Sequence, residues 1–168
     1  PEQLVKLYEV MKIDGLKPEE KQQAIRDYYA FCAYGDWLIG KAVDAFKAYS
    51  AKNDQEYVIV YVSGDHGWHL GEQGIEAKFG PWQMTNHGAA IVVGSDKSKF
   101  PAGMVYQGFT EYVDIMPTVL AAGGADLSDE KYDYLDGYDW SKMISDSTYH
   151  KEYVIGEMNH VVGPRAHI

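Results

Sequence analysis

The apolar positions of this chain follow two periodicities, which together predict an α/β order of elements. From about residue 19 to residue 50 they recur at helical spacing, which predicts one long helix. Residues 57–63 are a short run of valine, isoleucine and tyrosine that predicts a buried strand, and residues 89–93 predict a second one. A further helix is expected over residues 114–122, with Pro117 in its first turn.

The remaining segments predict smaller features. Residues 68–88 form a glycine-punctuated loop between the two predicted strands, long enough to carry function. Residues 1–13 predict a short helix, and Tyr153–Gly156 predict a strand. Inside the long helix, we expect the lone Cys32 to be a small core side chain and Asp36 to be an inward-facing, hydrogen-bonded carboxylate.

Length and charge narrow the class of protein. The 168 residues suffice for a sizeable core, and a formal net charge of −10 argues against nucleic acid or an acidic membrane surface as a partner. An anionic substrate remains compatible, because a metal and local cations set the field inside a site. One cysteine excludes an internal disulfide framework.

The most informative chemistry lies where the first predicted strand ends, in the sequence Asp65-His66-Gly67. Ligands of open α/β sheets bind beyond the carboxyl ends of the strands. A carboxylate and an imidazole are both metal ligands, and a glycine lets the backbone turn close to a ligand. The competing interpretation is a strand end whose aspartate caps a turn and whose histidine is exposed.

The residues that follow give this pair a context. Leu70-Gly71-Glu72-Gln73-Gly74 comes next, and then Lys78. The stretch from Ser63 to Lys78 resembles the sulfatases of the alkaline-phosphatase superfamily. Their second half carries a strand, Ser-Asp-His-Gly, Leu-Gly-Glu-His-Gly and a lysine. Two departures are visible: Gly64 is an extra residue before the aspartate, and Gln73 replaces the usual histidine.

The resemblance extends further along the chain. Thr85-Asn86-His87-Gly88, Val113-Asp114-Ile115-Met116-Pro117-Thr118 and Leu135-Asp136-Gly137 resemble later motifs of the family, in the family's order. The chain is similar to family members of the iduronate-2-sulfatase and choline-sulfatase type. The resemblance implies an α/β fold with an alkaline-phosphatase-like sheet flanked by helices, of which this chain is a C-terminal fragment lacking the N-terminal half. Residues 1–130 would be the C-terminal part of the α/β domain, and residues 131–168 the start of a smaller C-terminal subdomain.

The resemblance also implies roles for individual residues. It makes Asp65 and His66 metal ligands and Lys78 a catalytic contact to the sulfate, and it makes three further residues candidates for substrate binding: Trp68, His69 and His87. Each has a plainer alternative. Lys78 could be a surface lysine and His69 an exposed loop histidine. His87 could be a core or strand-capping residue, and Trp68, like Trp82, a packing residue.

Function and cofactors are expected from the same resemblance. It implies metal-assisted hydrolysis of a sulfate ester and Ca²⁺ as the metal, whereas the chemistry of a histidine ligand suggests Zn²⁺ or Mn²⁺. A phosphonate or phosphate ester hydrolase of the same superfamily is the alternative enzyme. A catalytically inactive fragment or a binding module is the alternative without activity.

The nucleophile of the family is not found in this sequence. Sulfatases use a formylglycine made from the Cys or Ser of a Cys/Ser-x-Pro-x-Arg motif, and no proline here has Cys or Ser two residues before it. We therefore expect the formylglycine in a missing N-terminal half, which would be this chain's partner, and expect the chain alone to be inactive. The substrate would be a sulfated small molecule or glycan. A periplasmic or secreted location is weakly favoured, because many bacterial sulfatases are exported.

Overall fold

The protein is described by a computed structural model over residues 16–72, 76–78 and 82–155. The helices, in chain order, are α1 (Pro18–Lys52), α2 (Gln83–Asn86), α3 (Ile115–Ala122) and α4 (Trp140–Ser145). The strands are β1 (Val58–Ser63), β2 (His69–Leu70), β3 (Glu76–Ala77) and β4 (Ala89–Gly94). Among the described residues, 3₁₀ turns lie at Tyr112–Asp114 and Glu130–Tyr132. The helix predicted over residues 1–13 lies outside the described residues, and residues 153–155 are not part of a strand, contrary to the prediction.

The long predicted helix is confirmed as α1. Glu20 accepts the backbone N–H of Lys17 at 2.8 Å, and the carboxylates of the first turn complement the positive end of the helix dipole. The expected core positions of Cys32 and Asp36 are wrong, because both residues are exposed. Phe31, beside Cys32, is 78% exposed, so the apolar residues of α1 encircle its axis instead of forming one buried stripe. None of the described helices, α1 included, holds a stretch apolar enough to cross a lipid bilayer.

Both predicted strands are present, and they pair with each other. β1 and β4 form one two-stranded sheet, and β2 and β3 form a second, antiparallel one. The expectation of fully buried strands is wrong for the described residues: β1 is half-buried until its exposed last residue, and the first three residues of β4 are exposed. A strand is buried on both faces only when further elements cover both faces of its sheet. The described residues therefore show only part of an α/β fold.

The described residues divide into two compact units. The first contains residues 16–46 and the described part of 62–89, and the second contains residues 47–61 and 90–155. The second unit holds the buried apolar side chains Phe100, Trp140 and Met143. Residue 130, where the sequence sets a subdomain boundary, lies inside this second unit, and that boundary stays a prediction.

A buried aspartate holds the second unit together. Asp114 is fully buried, and its Oδ2 accepts the N–H of Glu111 at 2.8 Å and the indole N–H of Trp140 at 3.2 Å. Its Oδ1 accepts the N–H of Tyr138 at 2.8 Å and pairs with the ammonium of Lys151 at 2.7 Å. Four groups therefore depend on one carboxylate, which makes the aspartate of the Val-Asp-x-x-Pro-Thr motif an architectural residue.

The neighbouring motif residues complete this clamp. Thr118 donates its hydroxyl to the Asp114 carbonyl at 2.7 Å and accepts the N–H of Trp140 at 3.0 Å. A Cβ at Gly137 would overlap the Val113 carbonyl oxygen and lie 2.6 Å from its carbon, so only glycine fits there. The Val-Asp-x-x-Pro-Thr and Leu-Asp-Gly motifs thus meet in space, and the contact explains why each needs its residues.

Candidate functional site

The Asp65–His66 pair lies directly beyond the end of β1. β1 ends at Ser63, and Gly64 turns the backbone with a φ of 76°, a conformation that favours glycine. The Asp65 Oδ1 and the His66 Nε2 lie 3.0 Å apart. The Asp65 side chain is 84% exposed, whereas that of His66 is 25% exposed. The side chains of the pair therefore converge at the strand end, as the sequence predicts.

The second ring nitrogen of His66 is also engaged. Its Nδ1 lies 2.6 Å from the carbonyl oxygen of Gly67, which can only accept a hydrogen bond. Nδ1 therefore donates this hydrogen bond, and Nε2 is the ring nitrogen that faces Asp65. A histidine that donates one nitrogen to a backbone carbonyl and offers the other is the usual form of a metal-binding histidine.

Gly67 fits tightly against the short helix α2. Its N–H donates to the Thr85 carbonyl at 2.6 Å. A Cβ at this position would overlap the Met84 carbonyl oxygen and lie 3.0 Å from that of His87. These are backbone atoms that cannot swing aside, so the glycine of Asp-His-Gly is required by its approach to α2.

His69 is a buried link between the loop and α2. The residue is fully buried, its Nε2 lies 2.8 Å from the hydroxyl of Thr85, and its Nδ1 lies 3.2 Å from the Glu72 carbonyl. Its ring also meets that of Trp82 edge-on, at a centroid distance of 5.6 Å. The alternative of an exposed loop histidine is wrong. The expected contact with substrate stays a prediction, and both ring nitrogens are already occupied by the protein.

The Leu-Gly-Glu motif closes a tight turn. The Glu72 carboxylate accepts the N–H of Leu70 at 2.7 Å, and Gly71 has a φ of 119°. Hydrogen bonds from the backbone of Glu72 and Leu70 hold the pKa of the Glu72 carboxyl below its usual value. The glutamate of this motif is therefore an ionised turn-former, and the glycine supplies the backbone angle that the turn needs.

The pairing of β2 with β3 brings Lys78 next to the site segment. β2 and β3 pair antiparallel, His69 opposite Ala77 and Leu70 opposite Glu76. Continued by one residue, this register sets Lys78 opposite Trp68. Lys78 is half-buried. Its contact with sulfate stays a prediction.

The other two substrate candidates have different surroundings. The Trp68 indole stacks on Tyr28 of α1, at 5.9 Å and 21°, and on His66, at 6.4 Å and 22°. His87 follows α2, and its N–H donates to the Gln83 carbonyl at 2.8 Å. The side chain of His87 is exposed, so the alternative of a core histidine is wrong. Substrate binding by Trp68 and His87 stays a prediction.

Two residues of this region were not singled out by the sequence as site residues. Thr85 is buried and serves Gly67 and His69 together, and Tyr28 supports Trp68 from the distant helix. Burial, with the adjacent Cys32 thiol, raises the pKa of the Tyr28 phenol, which therefore stays neutral at physiological pH. The helical spacing marked Tyr28 as an apolar position of α1 but could not show which loop packs there.

The donor set fits part of a metal site. An imidazole nitrogen and a carboxylate oxygen are ligands of Zn²⁺ and Mn²⁺, and donors bound at about 2.0–2.6 Å can lie ~3 Å apart, as Asp65 and His66 do. Within residues 16–72, 76–78 and 82–155, no third histidine, cysteine or carboxylate joins them in a metal-binding group. The pair therefore supplies two ligands, and the rest would have to come from elsewhere.

Comparison with known proteins identifies the family. The family model described as Sulfatase matches residues 5–125, which include β1, the Asp65–His66 pair and α3. The chain belongs to the sulfatase family. The resemblance drawn from the motifs is therefore confirmed at family level, and with it an alkaline-phosphatase-like α/β fold as the family architecture.

Two curated relatives of this sulfatase chain are much longer than the chain itself. A protein named Sulfatase from Formosa agariphila is 30% identical over 106 residues, which are 62% of this chain and 20% of that protein. Arylsulfatase D from Homo sapiens is 27% identical over 114 residues, which are 61% of this chain and 18% of that protein. The chain thus spans about a fifth of the length of these relatives. No solved structure is a significant match.

Proposed function

We propose that this chain forms part of a sulfuric ester hydrolase, in which it supplies two metal ligands and one cationic contact to the sulfate group. The observation that carries the proposal is the convergence of the Asp65 and His66 side chains, 3.0 Å apart, directly beyond a strand that belongs to a sulfatase-family chain. A bound divalent cation, with Ca²⁺ expected and Zn²⁺ or Mn²⁺ as alternatives, would neutralise charge on the sulfate oxygens.

The residues of the chain have separate tasks in this proposal. His66 keeps its proton on Nδ1, held by the Gly67 carbonyl, and presents Nε2 as a ligand beside Asp65. Lys78 donates from its ammonium to a sulfate oxygen and offsets the negative charge that repels an attacking nucleophile. The nucleophile, expected to be a formylglycine, and the remaining ligands would belong to sequence that this chain does not contain. The substrate would be a sulfated small molecule or glycan.

Lys78 provides the sharpest test of this function. In the full-length natural protein that carries this sequence, we expect Lys78→Ala to lower turnover of an aryl sulfate by about a hundredfold or more, because a positioned charge in a partly dehydrated site is lost. Lys78→Arg should rescue poorly, since a planar guanidinium cannot take the position of a compact ammonium. Steady-state kinetics and a thermal melt on each variant make the measurement.

Lys99→Ala is the matched control, because Lys99 is an exposed lysine in a turn of the second unit. Near-normal turnover by Lys78→Ala would make Lys78 a surface lysine and remove its catalytic role. A panel of sulfate, phosphate and phosphonate esters separates a sulfatase from a phosphate or phosphonate ester hydrolase. Absence of turnover on the whole panel would favour the binding module.

A further inference from the structure

An aromatic stack lies beside the proposed metal ligand His66. We propose, on the basis of the function proposed above, that Trp68 is a positioning residue, which with Tyr28 fixes the plane of the His66 ring and so aims its Nε2 at the position shared with Asp65. The imidazole and the indole lie 6.4 Å apart at 22°, and the indole and the Tyr28 ring lie 5.9 Å apart at 21°. These separations and small angles are those of offset-stacked rings.

The backbone explains how the stack arises. In extended chain, successive side chains point to opposite sides. Gly67 and His69 both contact Thr85 of α2, whereas His66 and Trp68 contact each other, and Trp68 contacts α1. Residues 66–69 are therefore held by α2 on one side and by the aromatic stack on the other. The proposed metal ligand His66 lies on the side of the stack.

His66 needs such support. The torsion that rotates an imidazole about its Cβ–Cγ bond is broad and weakly restrained by itself. The hydrogen bond from Nδ1 to the neighbouring Gly67 carbonyl fixes one edge of the ring, and its partner belongs to the same flexible turn. Trp68 adds a restraint on the face of the ring, and Tyr28 transmits that restraint to a 35-residue helix.

The stack also argues against a free substrate platform. Trp68 is 36% exposed and already stacks on two rings, so a sugar ring would have to compete with residues of the protein itself. A positioning role and a substrate role make opposite predictions. Loss of a positioning indole weakens metal binding before any substrate is present, whereas loss of a substrate platform raises KM and leaves metal binding unchanged.

The test measures metal affinity in the absence of substrate. In the full-length protein, Mn²⁺ binding is followed by the electron paramagnetic resonance signal of the free ion, and Ca²⁺ binding by its competition with Mn²⁺. We expect Trp68→Ala to raise the Mn²⁺ dissociation constant by about 10- to 100-fold, the usual effect of removing a group that supports a metal ligand. Trp68→Phe and Tyr28→Phe keep a stacking ring and should restore most of the affinity, whereas Tyr28→Ala should not.

Trp37→Ala is the matched control, because Trp37 stacks on Tyr34 of α1 at 5.8 Å and 23°, almost the same geometry, and contacts no proposed ligand. It should leave the Mn²⁺ dissociation constant unchanged while altering the melting temperature of the metal-free protein. Equal affinity of Trp68→Ala and wild type would overturn the positioning role. Should Trp68→Ala not fold, wild-type affinity of Tyr28→Ala, which removes the ring behind the indole, would overturn it instead. If wild type binds neither Mn²⁺ nor Ca²⁺, or if Asp65→Ala binds them as well as wild type does, the proposed metal site is wrong, and the positioning role is wrong with it.

Discussion

Replacing Gly67 with alanine should separate the loop that carries Asp65 and His66 from α2. The added Cβ would overlap the Met84 carbonyl oxygen and lie 2.8 Å from the Met84 carbonyl carbon and 3.0 Å from the His87 carbonyl oxygen. Contacts this short with backbone atoms are relieved only when the whole segment moves. The movement breaks the hydrogen bond from the Gly67 N–H to Thr85 and pulls His69 away from the Thr85 hydroxyl.

The cost follows from the contacts that are lost. A backbone hydrogen bond contributes about 1 kcal/mol, a buried polar group left without its partner costs about 1–3 kcal/mol, and the edge contact of His69 on Trp82 contributes about 0.5–1.5 kcal/mol. We therefore expect Gly67→Ala to lower the free energy of unfolding by about 3–5 kcal/mol. Metal affinity should fall as well, since His66 precedes the displaced residue.

Urea denaturation followed by tryptophan fluorescence measures the loss in free energy. Hydrogen–deuterium exchange of the peptide that spans residues 64–72 shows whether this loop has opened. Gly35→Ala is the control with the same chemical change, because nothing lies within 4 Å of a Cβ at Gly35 in α1. Alanine in a helix interior should instead stabilise the protein by about 0.5–1 kcal/mol. A Gly67→Ala protein with wild-type stability and wild-type exchange would refute the close approach of the loop to α2.

Further predictions concern the second unit. Asp114→Ala should lower the free energy of unfolding by about 3–5 kcal/mol in urea titrations, because it leaves the buried Lys151 ammonium and several N–H groups without their acceptor. The control is Asp44→Ala, which should change the free energy little because Asp44 is exposed. A loss for Asp114→Ala that is smaller than that of Asp44→Ala would contradict the clamp. Burial by itself lowers the pKa of Lys151, but the hydrogen bonds and charges of Asp114 and Glu111 outweigh it and raise the pKa above 10.5. The ion pair therefore stabilises the fold fully below about pH 10.5, and this stability is lost as the pH rises through the higher pKa of the folded protein. The free energy of unfolding should fall over that alkaline range in wild type and less steeply in Lys151→Met, and parallel curves would show that Lys151 does not contribute.

Local pattern was sufficient for the longest helix and for the first strand. The helical spacing over residues 19–50 and the valine-rich run at 57–63 correspond to α1 and β1 within one or two residues. The local pattern also predicted that the Asp65–His66 pair follows the end of a strand, because strand length and a following glycine are local properties of the sequence. The role of this pair in metal binding is still a prediction.

Burial was the property that the sequence could not supply. Cys32 and the strands β1 and β4 look like core by composition, yet burial depends on which elements cover them. The partnership of His69 with Thr85 spans 16 residues, and that of Asp114 with Tyr138 spans 24. Such pairs are created by tertiary packing, and no periodicity within one element indicates them.

The clamp around Asp114 also bears on how lost activity would be recognised in this family. Asp114, Thr118 and Gly137 hold neighbouring backbone in place, and none of these tasks requires a reaction to occur. A relative that had lost turnover would remain under pressure to keep them, because an unpaired buried ammonium or a steric overlap would unfold it. The later motifs of a sulfatase therefore indicate an intact scaffold. Activity has to be tested separately, through the roles proposed for Asp65, His66 and Lys78.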